Sequence, residues 1–232
     1  MPGAGSVKRR RDFYSIAHRA GNNLTQTEVA LNAGVDAIEC DFWHDRGRLA
    51  LRHERKLPGL PILYDKWFIR WTWGELSLRR LLREVNRRAD LFLDIKSASP
   101  RAADAVLELH RDHEALMPKT LVCSKEWSVL DRIARGGTDM ETFYSIGRYG
   151  NVEHLLERAK EPRPPVGTSI RHTRLSRELV ERFHDARMKV FAWTVNNHER
   201  AAELVDWGVD GIISDDLEVF ALDPTSAAAI SE

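Results

Sequence analysis

Short apolar runs alternate with amphipathic stretches about eight times along these 232 residues, and no other feature constrains the fold as much. The apolar runs at 13–17, 36–42, 91–95, 120–123, 142–145, 166–170, 190–193 and 211–213 read as buried strands. The stretches at 25–33, 76–88, 101–110, 127–134, 152–159, 176–186 and 198–206 carry helical periodicity. Such alternation implies a parallel sheet covered by helices. Eight units in a chain of this length fit a closed (β/α)8 ring, the TIM barrel, better than an open doubly wound sheet. A G-x-G-x-x-G loop and a P-loop are both absent, which weakens a nucleotide-binding reading.

One barrel domain is expected over residues 13–223. Residues 1–12, with Lys8-Arg9-Arg10-Arg11, read as a basic tail, and residues 224–232 as a flexible Ala/Ser tail. The prolines at 162–165 mark a loop between units, not a domain boundary.

Lysine plus arginine and aspartate plus glutamate balance at 35 each, so nothing global favours nucleic acid or an anionic membrane. Cys40 and Cys123 form neither a C-x-x-C pair nor a zinc spacing, and both lie in apolar runs, so buried free thiols are expected. The N-terminus lacks an apolar h-region, no apolar run is long enough to span a bilayer, and a cytoplasmic location follows as the expectation.

Catalytic groups of such barrels sit at the C-terminal ends of strands. Here His18-Arg19 closes the first strand, Glu39 and Asp41 lie on the second, and His53 ends a short extended segment. Asp94 and Lys96 lie on the third strand, and Trp193 ends the seventh. Ionisable groups buried there are costly unless paired or bound to a ligand. Glu39 and Asp41, two apart on a strand, point to the same face and can reach one hard cation. Asp94 offers a third oxygen. All-oxygen ligands favour Mg²⁺, with Ca²⁺ or Mn²⁺ as alternatives, over zinc. A salt-bridged carboxylate pair at the rim is the plainer alternative. His18 and His53 are candidate acid and base, while the remaining histidines, His110 among them, read as surface groups, with His44 left open by its nearness to Asp41. Arg19 and Lys96 bring positive charge to where a phosphodiester oxygen would lie. Trp193 can pack on a substrate, by cation–π contact where that is cationic, or serve the core. The stretch 64–73 holds Trp67, Phe68, Trp71 and Trp73 with no regular spacing. It reads as a loop that faces lipid, caps substrate or plugs one side of the barrel mouth.

These residues carry a resemblance. Ala17-His18-Arg19, Ala33 to Asp41, His53-Glu54, Asp94-Ile95-Lys96, Trp193 to Asn196 and Gly208 to Asp215 follow in the order of the glycerophosphodiester phosphodiesterases. The chain therefore resembles that family, which uses the PLC-like phosphodiesterase type of TIM barrel. The resemblance implies a phosphoric diester hydrolase that releases glycerol 3-phosphate and an alcohol. It implies His18 and His53 as the acid–base pair and Glu39, Asp41 and Asp94 as metal ligands. Arg19 and Lys96 would hold phosphate, and Trp193 would line the substrate pocket.

Departures are present. Ala20 stands where the family usually has glycine, Gly21-Asn22-Asn23 replaces a Glu-Asn-Thr stretch, and Asp94 stands for the usual third-strand glutamate. Glu54 follows His53 where aspartate is usual, and the segment after His53 is short. The third-strand aspartate and the trimmed segment are similar to the sphingomyelinase D and phospholipase D toxins. A phospholipase D-like activity on lysophospholipids is thus the alternative, with peripheral lipid contact through the Trp67–Trp73 loop. Amidohydrolase barrels are disfavoured because their His-x-His start is missing, and a barrel that only binds a ligand is disfavoured by both histidines and all three carboxylates.

Overall fold

A computed structural model describes residues 13–221 apart from 46, 67, 73, 115–116 and 148–151. The expected tails, and Trp67 and Trp73 of the aromatic stretch, lie outside the described residues. In chain order the elements are β1 (Tyr14–Ala17), α1 (Leu24–Asn32), β2 (Ala37–Asp45), β3 (Arg48–Leu51), β4 (Arg55–Lys56), β5 (Ile62–Tyr64), β6 (Ile69–Trp71) and β7 (Leu76–Ser77). Next come α2 (Leu78–Val85), β8 (Asp90–Ile95), α3 (Pro100–Asp112), β9 (Thr120–Ser124), α4 (Trp127–Ala134), β10 (Glu141–Ile146) and α5 (Val152–Arg158). The chain then runs through β11 (Gly167–Arg171), α6 (Arg177–Asp185), β12 (Lys189–Trp193), α7 (His198–Asp206) and β13 (Gly211–Ser214).

Strands β1, β2, β8, β9, β10, β11, β12 and β13 run parallel, and β1 pairs with both β13 and β2, which closes the ring as the alternation predicts. Strand periodicity sorts the side chains. On β8, Leu91, Leu93 and Ile95 join the outer core under the helices, while Phe92 points inward. On β2, Ile38, Cys40 and Phe42 join the same outer core, leaving Ala37, Glu39 and Asp41 to the interior. The interior below the carboxylates is a floor of aromatics. Phe143 stacks on Phe191 at 4.3 Å between ring centroids, and Phe92 meets Phe143 edge-on. Gly167 makes room for this floor: a Cβ there would sit 2.5 Å from the Phe143 ring. Truncating one such buried ring to alanine typically costs about 3–5 kcal/mol. Side-chain caps from Asn23, Ser77, Ser99, Ser176 and Asn197 start five of the helices.

Three local expectations are corrected. The helix expected at 76–88 begins only at Leu78, behind the Ser77 cap, and ends at Val85, where Asn86 and Arg87 turn left-handed (φ 43° and 61°). The stretch 64–73, expected to be irregular, contains β6, which pairs antiparallel with β5 in a small sheet β4–β5–β6. Its strands are too short for a periodicity signal. Finally, His110 is not a surface group: it is buried and lies 3.0 Å from Asp139.

Candidate active site

The parallel register puts the acidic cluster at one height. Asp41 on β2 pairs with Asp94 on β8, and Glu39 points inward two residues below Asp41. One oxygen from each of Glu39, Asp41 and Asp94 lies within 4.8 Å of the others. Glu39 and Asp41 are 3% and 1% exposed. Burial, and then repulsion from Asp41 and Asp94, hold the Glu39 carboxyl well above its ordinary range. Asp41 is also buried, yet the Lys96 ammonium, 2.7 Å away, offsets the burial and holds it below the usual range. Lys96 also pairs with Asp94, and against its own burial the three carboxylates raise its proton affinity. One ammonium thus stands among three acids.

The loop after β1 wraps this cluster. Arg19 adopts a left-handed conformation (φ 54°) that a non-glycine residue holds only when its surroundings enforce it. That turn sends its backbone N–H to Glu39 Oε2 at 2.5 Å and brings its guanidinium 3.4 Å from Asp41 Oδ2. Asn22 clamps Asp41 from both sides, donating to Oδ2 and accepting the Asp41 N–H, each at 3.0 Å. Gly21 lets the loop come this close, since a Cβ there would meet the Cys40 side chain at 2.6 Å.

Each histidine has an aspartate at Nδ1. His18 Nδ1 lies 2.7 Å from Asp215 Oδ1, and Asn196 holds that aspartate by donating to its other oxygen and accepting its backbone N–H. The His18 contact keeps Asp215 ionised below the ordinary aspartate range. His53 Nδ1 lies 3.2 Å from Asp65 Oδ2, and Trp43 donates to the His53 carbonyl. Burial pushes His53 down; Asp41 opposes this, and the Arg19 and Lys96 charges add to it. Both rings can therefore direct Nε2 elsewhere. The same Arg19 charge acts on Asp41, Asp215, Asp65 and His53, which places the two histidine–aspartate pairs around one cation.

Trp193 ends β12, packs half-buried against the aromatic floor, and carries the Lys125 ammonium 5.8 Å above its ring. It serves the core and borders the mouth at once. His44 lies further along β2, where its backbone N–H donates to Ser97 Oγ.

A model of the glycerophosphoryl diester phosphodiesterase family matches residues 97–219. The protein YhdW of Bacillus subtilis (strain 168), whose name places it among the glycerophosphodiester phosphodiesterases, is 47% identical over 88% of this chain and 94% of its own length. The chain belongs to the glycerophosphoryl diester phosphodiesterase family. As a family member it is a phosphodiesterase, and the family's use of a divalent cation fits its acidic cluster. The crystal structure of a glycerophosphodiester phosphodiesterase from Thermotoga maritima has a TM-score of 0.70 at 20% identity, covering 92% of this chain and 99% of that one. An Oleispira antarctica phosphodiesterase, solved with sn-glycerol-3-phosphate, also scores 0.70, at 17% identity, covering 90% and 95%. These likenesses show the family's barrel. The matched span of the family model begins after Lys96.

The structure brings seven of the eight expected site residues into one network of contacts and charges, and sets Trp193 on the same rim. Asn22, Asp65, Asn196 and Asp215 had no role in the sequence reading. Asn196 and Asp215 stand inside the quoted motifs, so their signal was present without a function attached. Asp65 carried none, because its contact depends on how the small sheet folds back.

Proposed function

We propose that this phosphodiesterase hydrolyses glycerophosphodiesters to glycerol 3-phosphate and an alcohol, with a divalent cation, Mg²⁺ first, on Glu39, Asp41 and Asp94. The observation that carries the reading is the acidic cluster lying beside two histidines, each with its own aspartate. The residues fit a cation: Lys96 and Arg19 together stand against three carboxylates, and burial, then repulsion from Asp41 and Asp94, drives Glu39 toward protonation. When bound, the cation would neutralise the phosphodiester and stabilise charge that develops on its oxygens.

The protein's own groups supply the rest. The Arg19 guanidinium, 44% exposed, reaches a non-bridging oxygen from the mouth side, and Lys96 adds charge from below. His53 stays neutral at neutral pH and takes a proton. His18, with Asp215 fixing Nδ1, gives a proton from Nε2 to the leaving alcohol. Trp193 lines the pocket for the glycerol or the head group. The product seen in the Oleispira relative supports this choice of substrate. Two buried free cysteines suit a reducing, cytoplasmic compartment.

A lysophospholipid substrate is a second reading, favoured by the exposed apolar residues of the small sheet that carries Asp65. Glycerophosphocholine, glycerophosphoethanolamine and lysophosphatidylcholine, each assayed with chelator and with Mg²⁺ or Ca²⁺, separate the two. Glycerol 3-phosphate from the first two, dependent on metal, is the expected result. Release of choline from lysophosphatidylcholine alone would replace the first reading with the second.

A further inference from the structure

Sheets packed on a protein usually turn their apolar row inward and their polar row to water. The β4–β5–β6 sheet does the reverse. The register pairs Arg55 with Tyr64, Tyr64 with Ile69, and Ile62 with Trp71, so these five share one face. Lys56, Leu63 and Arg70 share the other. That second face is turned to the barrel: Leu63 is 1% exposed, Lys56 pairs with Glu75 at 2.8 Å, and Arg70 pairs with Glu54 at 2.8 Å. The outward face is thus mostly apolar. Ile69 and Trp71 are 74% and 61% exposed, and Leu60 and Phe68 add 50% and 48% from the adjoining turns. Among the described residues only Val29, on α1, joins these four as an exposed large hydrophobic.

Charge around the patch has one sign. Between residues 54 and 75 the exposed charged residues are Arg55 on the outward face, Lys66 in the adjoining turn and Arg70, which belongs to the inward face and pairs with Glu54; Glu54, Asp65 and Glu75 are half-buried. We infer that the outer face of this sheet docks the enzyme on an anionic lipid bilayer. Tryptophan, tyrosine and phenylalanine beside lysine and arginine match the boundary between acyl chains and acidic head groups. A second copy fits less well, because a two-fold contact through this face would set Arg55 and Lys66 against like charges, with no exposed acid among the described residues between 54 and 75. The sheet also carries Asp65, the partner of His53, so docking would set the mouth beside the membrane. The inference rests on the phosphodiesterase reading only for naming that mouth, since lipid attachment is measured apart from catalysis.

The test is cosedimentation of the full chain with vesicles of phosphatidylglycerol and phosphatidylcholine in equal parts, and with phosphatidylcholine alone. The protein should partition onto the anionic vesicles and weaken with added salt. Arg55→Glu with Lys66→Glu should lower partitioning by about fivefold or more per cation, and Ile69→Ser with Trp71→Ser by about tenfold. Both variants should hydrolyse glycerophosphocholine at the wild-type rate. Equal partitioning of wild type and variants, or no binding at low salt, overturns the inference. So does a wild-type dimer in sedimentation velocity that the Ile69/Trp71 variant dissociates. Vesicle binding without diester hydrolysis would instead overturn the proposed function and leave the docking surface standing.

Discussion

The Asp215 carboxylate, at the end of the last barrel strand, lies 2.7 Å from Nδ1 of His18, at the end of the first. Closure of the ring makes the contact possible: β1 and β13 pair side by side, Ala17 opposite Ser214. An anion at Nδ1 fixes the ring's orientation and its tautomer, which leaves Nε2 free to face the leaving group.

Asp215→Asn should therefore lower kcat by at least about tenfold with little change in KM, because the ring loses its anion and not its substrate contacts. Stopped-flow or steady-state assays check this; an unchanged kcat would assign Asp215 a purely structural part.

His53 is held below its ordinary value of 6.5 by burial. A base with depressed proton affinity stays neutral to lower pH, so the acidic limb of kcat/KM should fall below about pH 6.5. His53→Ala and His18→Ala should each cost about 10²–10⁴ in rate. His198, about half exposed on α7, is the control, and His198→Ala should be silent. The buried His110 would be a poor control, since its removal disturbs packing.

Metal-free stability should depend on pH through Glu39. Its carboxyl is held above its ordinary value of 4.5, so over the interval up to that raised value the folded state binds more protons than the unfolded one. Stability from this group is present below the ordinary value and is lost as pH rises through the raised one. Chelated wild type should thus lose Tm as pH rises. Glu39→Gln should flatten that loss and remove the Tm gain on adding Mg²⁺. Calorimetry with and without metal decides it; a Mg²⁺ shift retained in Glu39→Gln would remove Glu39 from the ligand set.

Much of this was legible in the sequence, and for a physical reason. A parallel barrel imposes a period of two on every strand, so Glu39-x-Asp41 had to share a face, and Leu91, Leu93 and Ile95 had to oppose Phe92 and Asp94. What stayed hidden depends on contacts between distant segments. Asp65 meets His53 only because β4, β5 and β6 fold into a sheet with strands of two or three residues. Asn22 reaches Asp41 only because Arg19 takes a left-handed turn, which no residue type in that loop announces.

Two histidines also allow attack by the substrate's own glycerol 2-hydroxyl, one ring removing its proton and the other protonating the departing alcohol. Tethered attack of this kind reaches effective molarities of about 10⁵ M or more. Phosphorus NMR during turnover should then show a cyclic phosphate, and bis(p-nitrophenyl) phosphate, which has no such hydroxyl, should turn over far more slowly. Equal rates with no cyclic species would mean direct attack by water.

The central claim is that Glu39, Asp41 and Asp94 hold a cation that the diesterase reaction requires. Glycerol 3-phosphate release from glycerophosphocholine, measured on extensively chelated enzyme and again after Mg²⁺ is restored, tests it most directly. The account predicts no activity when chelated, recovery with Mg²⁺ in the wild type, and no recovery in Asp41→Asn. Full activity in the chelated wild type would contradict it.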